Sequence, residues 1–200
     1  MKPSVYFVFT HFRPFHLIVS LLVLLGLSLG IMSSTAMASG SGITHGRETG
    51  LPLPRFVSLK FNEVNLRVGP GRKYSINWMY TKRGLPVEII QEFHQWRRIR
   101  DSEGTTGWVL KSQLSSRRTG IVAPWEKAHI AFGASRPVPL IAGKSSASVD
   151  AATKAKLQAG LMVSIDECQG QWCELEAQNT RFWLPKNKIW GVYPDEVVGG

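Results

Sequence analysis

The sequence predicts an all-β protein in which a small β-barrel unit occurs twice behind an N-terminal export signal. Landmark residues recur at a nearly fixed spacing along the chain. The interval from Gly84 to Gly160, for example, equals the interval from Trp96 to Trp172. Within each copy, short segments rich in β-branched and aromatic residues alternate with turn formers, and helix-forming patterns are nearly absent. A repeat of fixed period indicates one structural unit used twice.

Residues 1–38 have the composition of a secretory signal peptide. Lys2 and Arg13 are the only charged residues among them, and the stretch 17–31 is predominantly apolar. Small residues at Ala36 and Ala38 predict cleavage after Ala38. A spanning helix needs roughly 20 apolar residues, so an uncleaved membrane anchor is the weaker alternative. This segment is expected to hold the protein in the membrane only if it stays uncleaved, and the mature protein is expected in the periplasm or cell envelope.

The chain is strongly basic, with a formal net charge of +10, of which the signal peptide contributes Lys2 and Arg13. Basic patches with interleaved aromatic residues can bind nucleic acid, but export argues against that partner. Anionic envelope material, either membrane headgroups or the carboxylates of peptidoglycan stems, is a better match to this charge. The alternative is a solvated surface that keeps the protein soluble.

Turn formers and composition divide the rest of the chain into five segments. They are a flexible Gly- and Pro-rich linker (39–54), a first unit (55–117), a connector (118–136), a second unit (137–193) and a tail (194–200). Residues 121–125 of the connector are too apolar for a free linker and are expected to pack into one barrel or between the two. The alanines and lysines of residues 149–159 allow a helical turn, although the counterpart in the first unit looks extended.

The motifs of the first unit, in their order along the chain, point to a known family. They read NLRVGPG at 65–71, GLPV at 84–87, WRRI at 96–99 and GWV at 107–109. This order resembles the bacterial SH3-like domain family, in the subgroup with two such domains behind a signal peptide. The resemblance implies SH3-like barrels and a non-catalytic module, often in cell-envelope proteins.

The second unit resembles a degenerate partner of the first. Its best match is ECQGQWC at 167–173. It has LIAG at 140–143 where the first unit has the NLRVGPG turn, and Phe182-Trp183 where the first unit has Gly107-Trp108.

Cys168 and Cys173 are predicted to form a structural disulfide, because export allows one and the cysteine count is even. Zinc would need about four ligands, which the spacing does not supply. Two reduced thiols are the alternative. Aligning the repeats places Glu92 and Arg97 at the same two positions in the first unit, which is typical of residues facing each other across a hairpin, and there an exposed ion pair is expected. Strand alternation puts the two cysteines on opposite faces, so a β-bulge is required.

Tyr74, Trp78, Arg72 and Lys73 form the candidate ligand site. They lie in or just after the long loop that follows the Gly-Pro-Gly turn, where SH3-type folds that recognise proline-rich peptides form an aromatic groove. The alternative is that the two aromatic residues belong to the core, as most tryptophans in so small a barrel do.

Catalysis has little support, because the histidines are scattered and no catalytic or phosphate-binding motif occurs. No catalytic residue, metal or cofactor is expected. The sequence therefore predicts an exported binding protein that attaches to cell-envelope material, either peptidoglycan or a peptide, through the first unit. The alternative is a structural or assembly factor that binds another envelope protein through the surface between the units.

Overall fold

The computed structural model describes residues 44–126 and 140–199. The predicted signal peptide and its cleavage site after Ala38 lie outside the described residues, as do residues 127–139. Every regular element in the described ranges is a β-strand or a short 3₁₀ helix, which confirms the predicted all-β fold.

Nine strands come from the N-terminal segment and the first unit: β1 (Thr44–His45), β2 (Pro52–Leu53), β3 (Arg55–Leu59), β4 (Val64–Arg67), β5 (Ile76–Tyr80), β6 (Pro86–Phe93), β7 (Trp96–Arg100), β8 (Thr106–Leu110) and β9 (Leu114–Ser115). Seven follow: β10 (Thr119–Val122), β11 (Leu140–Lys144), β12 (Thr153–Gln158), β13 (Met162–Gln169), β14 (Trp172–Ala177), β15 (Thr180–Pro185) and β16 (Ile189–Trp190). The 3₁₀ helices are Lys111–Gln113, Pro124–Glu126 and Lys186–Lys188.

The two units have the same strand order. The first sheet runs β5-β4-β8-β7-β6-β3-β9, and the second runs β12-β11-β15-β14-β13-β10-β16. Each strand of the second sheet therefore corresponds to the strand of the first sheet whose label is lower by seven, so that β12 corresponds to β5 and β16 to β9. The chain contains two copies of one SH3-like fold, as the repeat predicts.

The second unit begins within the predicted connector, at β10 rather than at residue 137. This strand pairs with both β13 and β16. Val122 and Ala123 are buried in the second core, which explains why this stretch is so apolar. Residues 153–158, for which the sequence allows a helical turn, form β12 because they pair along β11.

Each sheet encloses its own apolar core, built from side chains that alternate inward along the strands. The first core includes Val64, Leu66 and Ile99, which are fully buried. The second includes Leu175 and Leu184, which are equally inaccessible.

Cys168 and Cys173 form a disulfide across the β13–β14 hairpin. The register of this hairpin shifts between Ile165 and Glu167, so Asp166 is an extra residue in β13. This bulge turns Cys168 to the face of Cys173, as strand alternation requires. Both cysteines are completely buried.

Glu92 and Arg97 face each other at the equivalent positions of the β6–β7 hairpin. The expected exposure of this pair is wrong, because Glu92 is 6% and Arg97 4% exposed. The Arg97 Nε atom lies 3.4 Å from Glu92 Oε1.

Glu92 is covered by the segment predicted to be a flexible linker, residues 39–54. The structure corrects that prediction, because the described part of the segment is ordered against the first unit. Its described part forms a small hairpin in which β1 pairs with β2. The N–H groups of Glu48 and Thr49 each donate to Glu92 Oε2 over 3.0 Å. The Thr49 hydroxyl and Arg55 donate to Oε1 over 2.8 and 2.7 Å. A buried carboxylate needs such donors, so it fixes a polar segment that composition alone describes as flexible.

The C-terminal segment packs against the second sheet. Cys168 N–H donates to the Val198 carbonyl over 2.7 Å, and Val198 N–H returns a bond of 3.2 Å. The buried Lys186 ammonium donates to the carbonyls of Pro194 and Glu196 over 2.9 and 2.6 Å. The predicted tail is thus part of the second unit as far as residue 199.

Aromatic and polar contacts join the two units. The ring of Phe56 lies 5.0 Å from that of Trp190 and 4.7 Å from that of Tyr193, measured between centroids. The Thr119 hydroxyl donates to the Gly84 carbonyl over 2.7 Å. These contacts build a shared interface, and two clefts open along it.

Candidate functional site

A cleft of about 550 Å³ opens between the two units beside β5. We call it the aromatic cleft. The first unit supplies Trp78, Tyr80, Lys82, Leu85 and the turn at 101–105, and the second supplies Ile121, Gly160 and Met162.

Trp78 forms an exposed wall of the aromatic cleft. It pairs with the buried Leu66, so both side chains lie on the core-facing side of the sheet. However, β5 is the edge strand, and 57% of the Trp78 surface remains exposed. A half-exposed indole offers a ligand a large, rigid apolar surface together with an N–H donor.

Tyr80 and Asp101 fix the base of the aromatic cleft. The buried Tyr80 hydroxyl donates to Asp101 Oδ2 over 2.9 Å. Asp101 Oδ1 accepts the N–H groups of Glu103 and Thr105 over 3.0 and 2.8 Å. Burial, followed by the charge and hydrogen bond of Asp101, raises the pKa of Tyr80 well above its ordinary value. The phenol therefore stays neutral and remains a hydrogen-bond donor to Asp101.

The remaining lining combines apolar contact with the basic side chain of Lys82 and the acidic side chain of Glu103. Leu85, Ile121 and Met162 supply the apolar part, and the exposed Lys82 supplies an ammonium group. Both Asp101 oxygens already accept hydrogen bonds, which leaves this carboxylate poorly placed to act as a base. The arrangement suits the binding of an extended chain that carries apolar side chains and charged groups of both signs.

Of the four predicted site residues, the structure places only Trp78 in the aromatic cleft. Arg72, Lys73 and Tyr74 lie in the preceding loop, and Arg72 borders a different hollow of about 200 Å³. The sequence pattern groups the four because they are close along the chain, but the loop and β5 face different openings.

The loop is held together by its own contacts. Arg67 Nη1 donates to the carbonyls of Arg72 and Tyr74 over 3.2 and 2.7 Å. The Tyr74 ring packs so closely on Gly69 that a Cβ there would lie 2.6 Å from the ring. Lys73 Nζ lies 5.6 Å from the centroid of the same ring. Tyr74 and Lys73 thus contribute to the structure of the loop.

The ligand site predicted from the sequence includes none of the residues that the second unit contributes to the cleft. Ile121 and Met162 reach the cleft because β10 and β13 pair at the interface, although the two residues are far apart along the chain. One signal points to them, since the apolar string at 121–125 is expected to pack into or between the barrels.

Within residues 44–126 and 140–199, no helix is long and apolar enough to cross a membrane. In the same ranges, no group of three or more His, Cys, Asp or Glu side chains is arranged to hold a metal ion.

Comparison with solved structures finds several chains of low similarity to this one, and three of them are named here. NlpC1 from Trichomonas vaginalis is 13% identical, with 76% of this chain and 48% of that chain covered and a TM-score of 0.31. NlpC2 from the same organism is 12% identical, with 68% and 48% covered and a TM-score of 0.29. An NlpC/P60 family protein from Bacillus cereus is 10% identical, with 68% and 55% covered and a TM-score of 0.28. The chain spans about half the length of these proteins.

No curated protein matches the chain. The bacterial SH3 domain family, in contrast, matches residues 60–116 and 145–191, one stretch in each unit. The two stretches together cover more than half of the sequence, and each contains most strands of one sheet, the exceptions being β3 in the first and β10 and β11 in the second. The chain therefore belongs to the bacterial SH3 domain family.

Proposed function

We propose that this protein is an exported, non-catalytic binding module that attaches to cell-envelope material through the aromatic cleft. The ligand is the peptide part of peptidoglycan or a similar extended peptide. The observation that carries the proposal is the half-exposed Trp78 beside an apolar surface to which both units contribute. Bacterial SH3 domains commonly bind cell-wall material, which supports this choice.

Export is supported by the disulfide between Cys168 and Cys173, because such bonds persist in oxidising compartments. Bacterial SH3 domains are also typically extracellular or associated with the envelope. The basic charge of the chain suits an anionic partner at that location.

The chemistry of the cleft favours a peptide. Trp78 can stack on an apolar side chain or on the plane of a peptide bond, and Lys82 can pair with a carboxylate. The hydrogen-bonded Asp101 turn is fixed before the ligand arrives, which lowers the entropic cost of binding. The same hydrogen bonds occupy the Asp101 oxygens, which supports a role in binding without catalysis.

Co-sedimentation of the full chain with purified cell-wall sacculi tests the proposal. The test variant is Trp78→Ala, and Trp125→Ala is its matched control because Trp125 is 53% exposed and lies outside the cleft. We expect the wild type and the control to pellet, and Trp78→Ala to remain largely in the supernatant. Equal pelleting of all three proteins would place the binding surface elsewhere.

A second candidate is an assembly factor that pairs with a strand of another envelope protein. The edge strand β5 exposes Ile76 and Met79, whereas the equivalent edge strand β12 exposes Lys154 and Lys156. Lysines protect a sheet edge against pairing, and apolar residues do not. If the wild type stays out of the sacculus pellet at low salt, this candidate is favoured. Met79→Lys should then abolish binding of the protein partner, whereas it should leave sacculus binding unchanged if the aromatic cleft is the site.

A further inference from the structure

A second cleft between the units, of about 370 Å³, is lined by three basic side chains and one acidic side chain. We call it the basic cleft. It shares Met162 with the aromatic cleft, and the turn at 82–85 borders both. Its lining includes three cations, Lys60, Arg83 and Arg117, and four hydroxyl groups, Ser58, Ser115, Thr119 and Ser164.

The charge of the three cations is not neutralised by neighbouring carboxylates in the described ranges. Within residues 44–126 and 140–199, none of Lys60, Arg83 and Arg117 forms an ion pair. The carboxylate of Glu176, which also lines the cleft, lies 3.6 Å from Arg181 Nε. Three like charges around one cleft repel one another, and a bound anion would offset that repulsion.

The backbone brings the residues that carry two of these cations close together. Gly84 N–H donates to the Leu59 carbonyl over 2.8 Å. Lys60 comes directly after Leu59 and Arg83 directly before Gly84, so this bond brings the two basic residues close together. The third cation is positioned from the other unit, because Arg117 Nη2 donates to the Ser164 hydroxyl over 3.1 Å. A contact between the units thus positions Arg117, and the backbone of the first unit places Lys60 and Arg83 at the same cleft.

Hydroxyl donors complete the lining. Ser164 Oγ accepts from Arg117, and Ser115 Oγ accepts the Arg117 N–H over 3.2 Å, so both hydroxyl protons remain available. Ser58, which is 1% exposed, and Thr119 also line the cleft, and the Thr119 hydroxyl donates to the Gly84 carbonyl. The Ser115 and Ser164 hydroxyl donors, which lie beside the Arg117 guanidinium, are suited to an oxyanion ligand.

We propose that the basic cleft binds a phosphate group. A carboxylate presents two oxygens and one charge, which a single guanidinium satisfies. Two guanidinium groups, an ammonium group and several hydroxyls match the larger number of acceptors and the higher charge of phosphate. This site goes beyond the peptide-binding function proposed for the aromatic cleft. The phosphate can belong to a lipid headgroup or to a soluble or polymer-bound phosphate ester.

Calorimetric titration of the full chain with glycerol phosphate tests the site, with acetate at matched ionic strength as the comparison. We expect glycerol phosphate to bind and acetate not to bind. Arg83→Gln/Arg117→Gln should bind about a hundredfold more weakly, at about tenfold for each charge-assisted hydrogen bond. Lys154→Gln/Lys156→Gln removes the same charge from β12 and should bind like the wild type. Lys60→Gln, which leaves the Arg117–Ser164 bond intact, serves as a second test variant if the double variant unfolds.

Vesicles containing an anionic phospholipid distinguish the two sources of phosphate. The predicted signal peptide, residues 1–38, is the same in all variants and contributes equally to their vesicle binding. A loss of vesicle binding in Arg83→Gln/Arg117→Gln therefore assigns the phosphate to a lipid headgroup. Binding of glycerol phosphate without a difference on vesicles assigns it to a soluble or polymer-bound ester. Equal responses to glycerol phosphate and acetate, or an equal loss in the β12 control, would overturn the proposal. Sacculus pelleting through Trp78 is scored separately, so failure of one site does not imply failure of the other.

Discussion

The Tyr193 hydroxyl donates a hydrogen bond of 2.7 Å to the Glu88 carboxylate, and this bond joins the second unit to the first. The other Glu88 oxygen accepts a bond of 2.8 Å from Arg100 Nε. Burial, followed by the hydrogen bond and charge of Glu88, raises the pKa of Tyr193 above its ordinary value. The phenol therefore remains a donor, and the buried carboxylate keeps its partners. Both clefts depend on the interface that this bond helps to hold.

Replacing Tyr193 with phenylalanine removes that donor from a buried charge. We expect Tyr193→Phe to lower the free energy of unfolding by about 1–3 kcal/mol, measured by urea denaturation. Tyr74→Phe is the control, since the Tyr74 hydroxyl makes no hydrogen bond within the described residues, and it should change stability little. Equal values for both variants would mean that the Glu88 contact does not stabilise the interface.

In each core a large side chain packs over a glycine on the neighbouring strand, and the two units place the large residue and the glycine on opposite strands of the pair. In the first unit Leu66 packs over Gly107, where an added Cβ would lie 2.5 Å from Leu66 Cγ. In the second unit the sizes are reversed, because Gly143 lies against Phe182 at 2.9 Å by the same measure. Arg67 pairs with Trp108 as Lys144 pairs with Trp183, which establishes the equivalence. The loss of the NLRVGPG motif from the second unit is thus accompanied by a compensating phenylalanine.

Gly107→Ala should therefore overpack the first core and cost about 1–3 kcal/mol of unfolding free energy. Adding Leu66→Ala should relieve the clash, so the double variant should be more stable than the sum of the single effects predicts. Strictly additive losses in a denaturation series would show that the two positions do not share this space.

Glu92 makes the fold sensitive to acid. Burial alone would raise the pKa of Glu92, but hydrogen bonds from Arg55, Thr49 and the Glu48 N–H, with the charge of Arg97, lower it from about 4.5 to about 2. Because the folded pKa lies below the unfolded one, the stabilisation is fully present above about pH 4.5. It is lost as the pH falls toward about 2.

We expect Glu92→Gln to cost about 3 kcal/mol near neutral pH, a difference that should shrink to almost nothing by about pH 2. Unfolding curves measured across this range test the prediction. Glu48→Gln is the control, because only the backbone N–H of Glu48 reaches Glu92. A pH-independent difference between Glu92→Gln and the wild type would rule out the proposed titration.

The disulfide closes a short loop, with a sequence separation of 5 between its cysteines. On the chain-entropy account, a loop this short stabilises by about 2 kcal/mol, so reductant should lower the unfolding free energy by about that amount. Cys168→Ala/Cys173→Ala should not respond to reductant. Intact-mass measurement should show a gain of about 2 Da on reduction of the wild type, from the two thiol protons. An unchanged mass on reduction would show that the two cysteines are not bridged.

The sequence predicts features that depend on neighbouring residues and misses those that depend on distant ones. The repeat, the hairpin that aligns Glu92 with Cys168, and the bulge before Cys168 follow from spacing and alternation. The burial of Glu92 does not, because its backbone donors come from a segment remote in the chain. The aromatic cleft is half predicted: Trp78 is recognised as a candidate surface residue, but its neighbours Ile121 and Met162 come from the other unit.

The most direct test of the binding function is a titration of the full chain with a soluble peptidoglycan fragment that carries its stem peptide. We expect saturable binding that Trp78→Ala weakens at least about tenfold, as for a buried aromatic contact. Trp125→Ala should leave the affinity within about twofold of the wild type. An unchanged affinity in Trp78→Ala, with the wild type binding the fragment, would contradict the assignment of the aromatic cleft as the binding site.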